Sequence, residues 1–217
     1  MSATIEAVLW DFGGVFTTSP FENFNKLEAK VGAPADFIRT LNSTNQENNA
    51  WAQFESSAVS LDEFDELFAH ESEQMGHRIQ GRDVIAMLSG SLRPRMVQVL
   101  KVCKQHYRVG CITNNVKAGQ GPSMSPDQDK ASAVAKVMQQ FDVVVESSIE
   151  GIRKPNPQIY ELACARLGVA AQNSVFLDDL GINLKPARAL GMQTIKVLHE
   201  TQAIDDLASI TGLVFPA

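Results

Sequence analysis

Ile5-Glu6-Ala7-Val8-Leu9-Trp10-Asp11-Phe12-Gly13-Gly14 is the stretch that decides the fold. Its first part, residues 5–10, is a short and mostly apolar run that ends at Asp11. A short apolar run followed by a glycine pair is typical of a buried strand whose C-terminal tip opens into a tight turn. We therefore interpret residues 5–10 as the first strand of a buried sheet, with a carboxylate at its tip.

Runs of the same kind recur in the second half of the chain. Short apolar segments predict strands at residues 108–112, 141–146, 174–177 and 193–197. Amphipathic segments between them predict helices at residues 95–106, 126–140, 157–167 and 184–190. Alternation of strand and helix indicates an α/β protein with a Rossmann-like parallel sheet wound by crossover helices.

Residues 20–91 have a different pattern. Helix-length amphipathic segments lie at residues 21–31, 35–41, 50–55, 61–75 and 81–87. Ser60 and Glu63 are spaced as a capping box before the fourth segment. We expect two domains, in which residues 1–19 and 92–217 form a catalytic core and residues 20–91 form an all-helical cap inserted after the first strand.

Composition limits the classes of partner. The 217 residues are 44% hydrophobic and 20% charged, with 19 Lys and Arg against 25 Asp and Glu, a formal charge of -6. This balance gives no general electrostatic case for binding nucleic acid or an anionic membrane. Apolar runs are far shorter than the roughly 18 residues that cross a bilayer, and the N-terminus has no basic segment of a secretory signal. We expect a cytoplasmic protein.

Two residue types carry little functional signal. The cysteines Cys103, Cys111 and Cys164 lie among apolar neighbours without a Cys-x-x-Cys pair, so we expect reduced packing residues. The histidines show no paired metal spacing. The loop-like stretch 117–127 contains Gly-Gln-Gly but lacks the third glycine of a dinucleotide-binding turn.

Three predicted strands end in polar or acidic residues. These are Asp11, then Thr113 and Asn114, and then Asp178 and Asp179. Ligands of an open parallel sheet bind outside the carboxyl ends of its strands, so we expect these side chains to converge. The glycine-rich turn after Asp11 would add main-chain N–H groups for an anion.

Clustered carboxylates indicate a cation. Two adjacent residues of an extended chain point to opposite sides, so we expect Asp179 to face a metal and Asp178 to support it. An all-oxygen ligand set favours Mg²⁺. Lys154 lies in the loop of residues 151–157, where two prolines fix the chain just before a helix. Its ammonium could neutralise the aspartates and hold a substrate anion.

Four stretches in this order resemble the motifs of the haloacid dehalogenase-like hydrolase superfamily. They are Asp11-Phe12-Gly13-Gly14-Val15, the strand end Thr113-Asn114, Lys154-Pro155, and Phe176-Leu177-Asp178-Asp179. Residues 154–160 and 175–188 are very similar to the N-terminal phosphatase domain of soluble epoxide hydrolases. The resemblance implies a Rossmann-like core with a helical cap, and phosphoryl transfer through a covalent aspartyl-phosphate.

The resemblance also implies roles for single residues. Asp11 would be the nucleophile. Its other carboxylate oxygen, the main-chain carbonyl of Gly13 and the carboxylate of Asp179 would bind Mg²⁺.

Substrate-binding and supporting roles follow from the same resemblance. Thr113, Asn114 and Lys154 would hold the oxygens of the transferring phosphoryl group. Asp178 would orient the metal shell or Lys154. Asn183 either supports this acidic pair or caps the following helix, and the sequence favours neither alternative.

Gly13 departs from the pattern of most phosphatases of the superfamily, which carry a second aspartate at this position. That aspartate protonates the leaving group and then activates water. General acid–base catalysis contributes about 10²- to 10⁴-fold, so we expect a slow enzyme, a substrate with a good leaving group, or another acid. His70 or His77 in the cap could supply that acid.

Three functions are compatible with these residues. The leading hypothesis is a Mg²⁺-dependent phosphatase acting on a small phosphorylated metabolite. The alternative is a 2-haloacid dehalogenase, which needs no proton donor and so fits Gly13, but which needs no metal and lacks the Asp-Asp pair. The third is a catalytically weak protein that binds a phosphorylated metabolite or a partner through its cap. The sequence identifies no substrate and leaves a homodimer open.

Overall fold

The computed structural model describes residues 4–88, 90–115 and 128–216. Five strands form one parallel sheet in the order β3-β2-β1-β4-β5. Their bounds are β1 Ala7–Trp10, β2 Arg108–Thr113, β3 Val143–Glu146, β4 Ser174–Asp178 and β5 Gln193–Lys196. The predicted α/β fold with a Rossmann-like parallel sheet is confirmed, and the first strand lies at its centre.

Helices lie both between β1 and β2 and after β2. Between β1 and β2 lie α1 Phe21–Val31, α2 Phe37–Ser43, α3 Ala50–Glu55, α4 Leu61–Gln74, α5 Gly81–Ala86 and α6 Pro94–Lys104. After β2 follow α7 Gln128–Met138, α8 Ser147–Glu150, α9 Pro157–Leu167, α10 Gly181–Ala189 and α11 Glu200–Thr211. In the part of the chain that the structure describes, no helix is long and apolar enough to cross a membrane.

Helices pack on both faces of the sheet. One face buries Trp10 and Leu177 with residues of α6, α7 and α11. The opposite face buries Leu9 and Phe176 with residues of α9 and α10. Because successive strand residues point to opposite faces, a strand covered on both faces is apolar throughout. This explains the continuous apolar run that precedes Asp11.

Helices α1 to α5, called the inserted helices below, have a hydrophobic core of their own. In this core Phe54 stacks on Phe64 with ring centroids 4.3 Å apart. The capping box at the start of α4 is present, since the Glu63 N–H donates to Ser60 Oγ and the Ser60 N–H donates to the Glu63 carboxylate. An antiparallel bridge joins Thr17 to Leu92, where the chain leaves and re-enters the sheet layer. The division into core and cap domains stays a prediction.

Sequence periodicity located most elements within a few residues. The segment predicted at 35–41 forms a helix at 37–43, and the strand predicted at 141–146 begins at 143. Two helices, α8 and α11, are not among the predicted segments. The loop-like stretch 117–127 and the first two residues of the helix predicted at 126–140 lie outside the described residues.

A buried glutamate fixes the start of α2. Glu28 is 1% exposed, and its carboxylate accepts the main-chain N–H groups of Asp36 at 2.9 Å and Ile38 at 2.8 Å. The first N–H groups of a helix have no partner within the helix, so an acceptor from α1 satisfies them and also favours the positive end of the helix. Glu28 thereby orients α2, whose residues line the cavity described below.

We expect Glu28→Gln to lower the free energy of unfolding by about 1–3 kcal/mol. The amide NH₂ of glutamine would face a main-chain donor, so at least one of the two hydrogen bonds is lost. Urea unfolding followed by circular dichroism measures the change. Glu161→Gln makes the same substitution at an exposed position on α9 and should be nearly neutral. Equal stability of the two variants would contradict the assigned role of Glu28.

Candidate active site

The site lies at the carboxyl ends of the three central strands. Trp10 is in register with Cys111 on one side and with Leu177 on the other. Asp11 follows Trp10 directly, and its N–H donates to the Leu177 carbonyl at 2.8 Å. The sheet order therefore brings together Asp11 and the ends of β2 and β4, as expected from the sequence.

Lys154 joins two of the aspartates. Its Nζ lies 2.8 Å from Asp11 Oδ1 and 2.8 Å from Asp178 Oδ2, and the lysine side chain is 1% exposed. Asn114 fixes the lysine main chain, because Asn114 Oδ1 accepts the Lys154 N–H at 2.9 Å and Asn114 Nδ2 donates to the Lys154 carbonyl at 3.0 Å. The Asn114 amide thus positions Lys154, and its role as a phosphoryl ligand stays a prediction.

Asp178 is fully buried and surrounded by donors. Asp178 Oδ1 accepts the Leu180 N–H at 2.8 Å, and Asn183 Nδ2 lies 3.1 Å and 3.0 Å from the two carboxylate oxygens. The residue at the N-cap position of α10 is Leu180, not Asn183. Asn183 therefore contacts Asp178. The carboxylate oxygens of Asp178 are thus occupied by hydrogen bonds from Asn183, Leu180 and Lys154.

Asp179 is half-buried and lies against the glycine turn. Gly14 has a φ of +72°, and a Cβ at this position would lie 2.3 Å from Asp179 Oδ2. Only glycine allows both the left-handed backbone and this approach. In contrast, a Cβ at Gly13 would meet no heavy atom within 4 Å. The turn thus requires glycine at position 14, whereas position 13 has room for a Cβ.

Three carboxylates meet at this point. One oxygen each from Asp11, Asp178 and Asp179 lies within 4.8 Å of the others. Three such oxygens converging at one point fit a hard divalent cation such as Mg²⁺, which takes oxygen ligands. Gly13, whose main-chain carbonyl is predicted to bind the metal, lies on the same turn, between Asp11 and Gly14.

The electrostatics of the cluster favour an added cation. Burial, together with the nearby Asp178 and Asp179, raises the pKa of Asp11 to about 8, although Lys154 opposes this shift. Burial and Asp178 raise the pKa of Asp179 to about 6. Burial alone would lower the pKa of Lys154, but Asp11 and Asp178 hold it above its ordinary value. A single ammonium therefore does not balance the three carboxylates.

A cavity of about 410 Å³ opens over the cluster. Of the predicted site residues, those that line it are Asp11, Gly13, Thr113, Asn114, Lys154, Asp179 and Asn183. Asp178 is not among the lining residues and lies behind Lys154. The cavity has the size of a small-molecule site, and its walls come from both the sheet layer and the inserted helices.

Several lining residues were not predicted from the sequence. Arg39 of α2, Glu55 of α3 and Arg153 beside Lys154 all line the cavity. The two cap histidines are not among its lining residues: His77 packs edge-on against Phe37, and His70 lies on the exposed side of α4, hydrogen-bonded to Gln74. The sequence offered a weak signal for two of them. Glu55 lies at the end of a predicted helix, and Arg153 is next to the predicted site residue Lys154.

The family model for haloacid dehalogenase-like hydrolases matches residues 5–191. The chain therefore belongs to the haloacid dehalogenase-like hydrolases, and the resemblance inferred from its motifs is confirmed.

Curated relatives include proteins of several kinds. The chain is 30% identical to mouse acyl-CoA dehydrogenase family member 10 over 95% of its length and 19% of the relative's length. It is 29% identical to mouse bifunctional epoxide hydrolase 2, over 98% of the chain and 40% of that protein. A sesquiterpene phosphatase of Aspergillus oryzae is 26% identical over 98% of the chain and its own whole length. The chain thus spans less than half of the first two relatives.

Solved structures share the fold. A haloacid dehalogenase-like enzyme of Bacteroides thetaiotaomicron, in complex with magnesium and inorganic phosphate, matches with a TM-score of 0.59 at 19% identity, over 88% of this chain and 93% of that chain. L-2-haloacid dehalogenase of Xanthobacter autotrophicus matches with a TM-score of 0.60 at 18% identity, over 98% and 85%. At these identities the matches show the fold alone.

We expect Lys154→Met to lower the free energy of unfolding by about 3–5 kcal/mol, because it leaves two buried carboxylates without their cation. Urea unfolding in the presence of a chelator measures this effect. The loss should be smaller when Asp178→Asn is already present, since one of the two carboxylates is then neutral. Strictly additive effects of the two substitutions would contradict direct coupling between these side chains.

Proposed function

We propose that this hydrolase is a Mg²⁺-dependent phosphatase that cleaves small phosphomonoesters. The observation that carries the proposal is the cluster of Asp11, Asp178 and Asp179 around Lys154 at the floor of a cavity. The relatives include a sesquiterpene phosphatase and bifunctional epoxide hydrolase 2, the kind of enzyme whose N-terminal phosphatase domain the sequence motifs resemble. These relatives support a phosphatase. The substrate would be a small phosphorylated metabolite.

Asp11, Asp179 and the Gly13 carbonyl would hold the Mg²⁺. The convergence of three carboxylate oxygens within 4.8 Å supports this assignment, and so does the absence of a Cβ at Gly14, which lets Asp179 approach the turn. When bound, Mg²⁺ would offset the negative charge that the carboxylates and a phosphoryl group bring together. Asp178 would act by fixing Lys154, since its oxygens already accept hydrogen bonds from Lys154, Asn183 and Leu180.

Asp11 would be the nucleophile. One carboxylate oxygen attacks phosphorus, the bond from phosphorus to the leaving oxygen breaks, and the phosphoryl group is transferred to Asp11. Lys154 holds Asp11 in place and would neutralise the charge of the phosphoryl oxygens, to which Thr113 at the end of β2 would donate a hydrogen bond. Water then attacks phosphorus, inorganic phosphate leaves, and the Asp11 carboxylate is restored.

Gly13 determines which substrates react well. A glycine cannot protonate the leaving oxygen, so that proton must come from solvent or from the substrate. A leaving group that is stable as an anion needs the proton least. We therefore infer that aryl phosphates or similarly activated esters are hydrolysed faster than simple alkyl phosphates.

A second candidate function is dehalogenation of a 2-haloacid, in which Asp11 displaces halide from carbon. Gly13 favours it, because halide leaves without a proton. The cluster of three carboxylates disfavours dehalogenation. Such a cluster suits a bound cation, and the displacement of halide by Asp11 uses none. Halide release from 2-chloropropionate measures this activity directly.

The proposed function predicts that p-nitrophenyl phosphate is hydrolysed with Mg²⁺ and not with a chelator. Asp11→Asn keeps the shape of the side chain but removes the nucleophile, so activity should fall by at least about 10³-fold. The release of p-nitrophenol measures both effects.

Asp178→Glu serves as a comparison, because it perturbs the support of Lys154 without touching the nucleophile and should leave partial activity. Full activity of Asp11→Asn, or turnover that does not depend on a divalent cation, would contradict the proposal. Absence of phosphatase activity together with halide release would favour the second candidate.

Room at position 13 allows a gain of function. Gly13→Asp adds a carboxyl group two residues after Asp11, at a position where a Cβ meets no heavy atom within 4 Å. We expect hydrolysis of ethyl phosphate to rise by about 10²-fold, the lower end of the range for general acid–base catalysis. Gly13→Asn has nearly the same size but cannot transfer the proton. Equal rates for Gly13→Asp and Gly13→Asn would show that a missing acid does not limit this enzyme.

A further inference from the structure

A partly buried ion pair, formed by Arg153 and Glu55, lies on the wall of the same cavity. Arg153 Nη2 lies 2.5 Å from Glu55 Oε2, with the arginine side chain 22% exposed and the glutamate side chain 8% exposed. Arg153 Nη1 also donates to the Gln46 carbonyl at 3.1 Å. Both charged residues line the cavity, and Arg153 directly precedes Lys154.

The position of Glu55 is fixed from both its main chain and its side chain. Its main-chain carbonyl accepts a hydrogen bond from Ser147 Oγ at 2.9 Å, which anchors the end of α3 on the sheet layer. Its Oε2 also lies 3.4 Å from Asn114 Nδ2, at the limit of a hydrogen bond. Asn114 in turn holds the main chain of Lys154. Glu55 is therefore the carboxylate of the inserted helices that comes next to the phosphoryl-binding residues.

We propose that Glu55 is a specificity-determining residue that selects substrates whose leaving group is uncharged next to the phosphoryl group. This inference rests on the proposed function, because it assumes that a phosphoryl group binds between Asp11 and Lys154. Glu55 would reject a second anionic group, such as a carboxylate, close to the ester oxygen.

The physical basis is charge balance. Without Glu55, the guanidinium of Arg153 would lie beside Lys154 and attract a second anion of the substrate. The Glu55 carboxylate pairs with this guanidinium, so a second substrate anion brought against the pair would lose its hydration without gaining a cation. Arg39 also lines the cavity, but it belongs to α2, where its guanidinium packs over Phe21 at 4.4 Å from the ring centroid, whereas Arg153 directly precedes Lys154.

The test compares two ligands that differ in one charged group. Ethylphosphonate and phosphonoacetate both carry a phosphonate, but phosphonoacetate has a carboxylate where ethylphosphonate has a methyl group. Isothermal titration calorimetry with Mg²⁺ gives the dissociation constants without requiring turnover. We expect the wild-type protein to bind ethylphosphonate at least about tenfold more tightly, and Glu55→Gln to remove most of this preference. Glu47→Gln removes the same charge from an exposed position in the loop between α2 and α3 and should keep the preference of the wild-type protein.

Arg153→Gln gives an independent test in the opposite direction, because it leaves Glu55 without its cation and should increase the discrimination against phosphonoacetate. Thermal unfolding establishes whether each variant is folded. If Glu55→Gln is not folded, the ratio of dissociation constants in Arg153→Gln alone tests the role of Glu55. An unchanged ratio of dissociation constants in the folded variants would overturn the role of Glu55 while leaving the proposed function intact. Failure of the wild-type protein to bind either phosphonate would overturn both.

Discussion

A buried ammonium between two buried carboxylates is the interaction on which the rest of the site depends. Lys154 can remain charged in the interior only because Asp11 and Asp178 each lie 2.8 Å from its Nζ. Each partner is in turn fixed by the sheet, Asp11 by its hydrogen bond to β4 and Asp178 by the donors of the turn after β4. Asp11 is thereby presented to the cavity in one orientation, which is what a nucleophile requires.

Local sequence signals were sufficient to predict the sheet and the floor of the site. Apolar runs bounded by turn residues mark strands that are covered on both faces, and Asp11 and Asp178 end two of these strands. Because parallel strands place their carboxyl ends at one edge, the convergence of these residues follows from topology. The apolar spacing of Ala203, Ile204 and Leu207 is a signal from which α11 could also be predicted, whereas α8 is too short to show a period.

The walls of the cavity could not be predicted in the same way. The pairs formed by Glu55 with Arg153, and by Glu28 with the start of α2, depend on how separate helices pack, and no local pattern encodes such contacts. The sequence likewise left two roles open for Asn183; in the structure its amide contacts Asp178 and the N-cap position is Leu180, which favours the supporting role. Charged residues outside the strand ends therefore became interpretable only with the structure. In the proposed function, Glu55 bears on selectivity, whereas the strand ends bear on the chemistry itself.

In the proposed reaction, Asp11 carries the phosphoryl group during turnover. The most direct measurement is acid quenching during hydrolysis of p-nitrophenyl phosphate, followed by proteolysis and mass spectrometry of the peptide that contains Asp11. We expect one added phosphoryl group on Asp11 in the wild-type protein and none in Asp11→Asn. Two results would contradict this role of Asp11. One is turnover without phosphorylated Asp11 when the attack of water on the phosphorylated enzyme is slowed, and the other is a phosphoryl group on another residue.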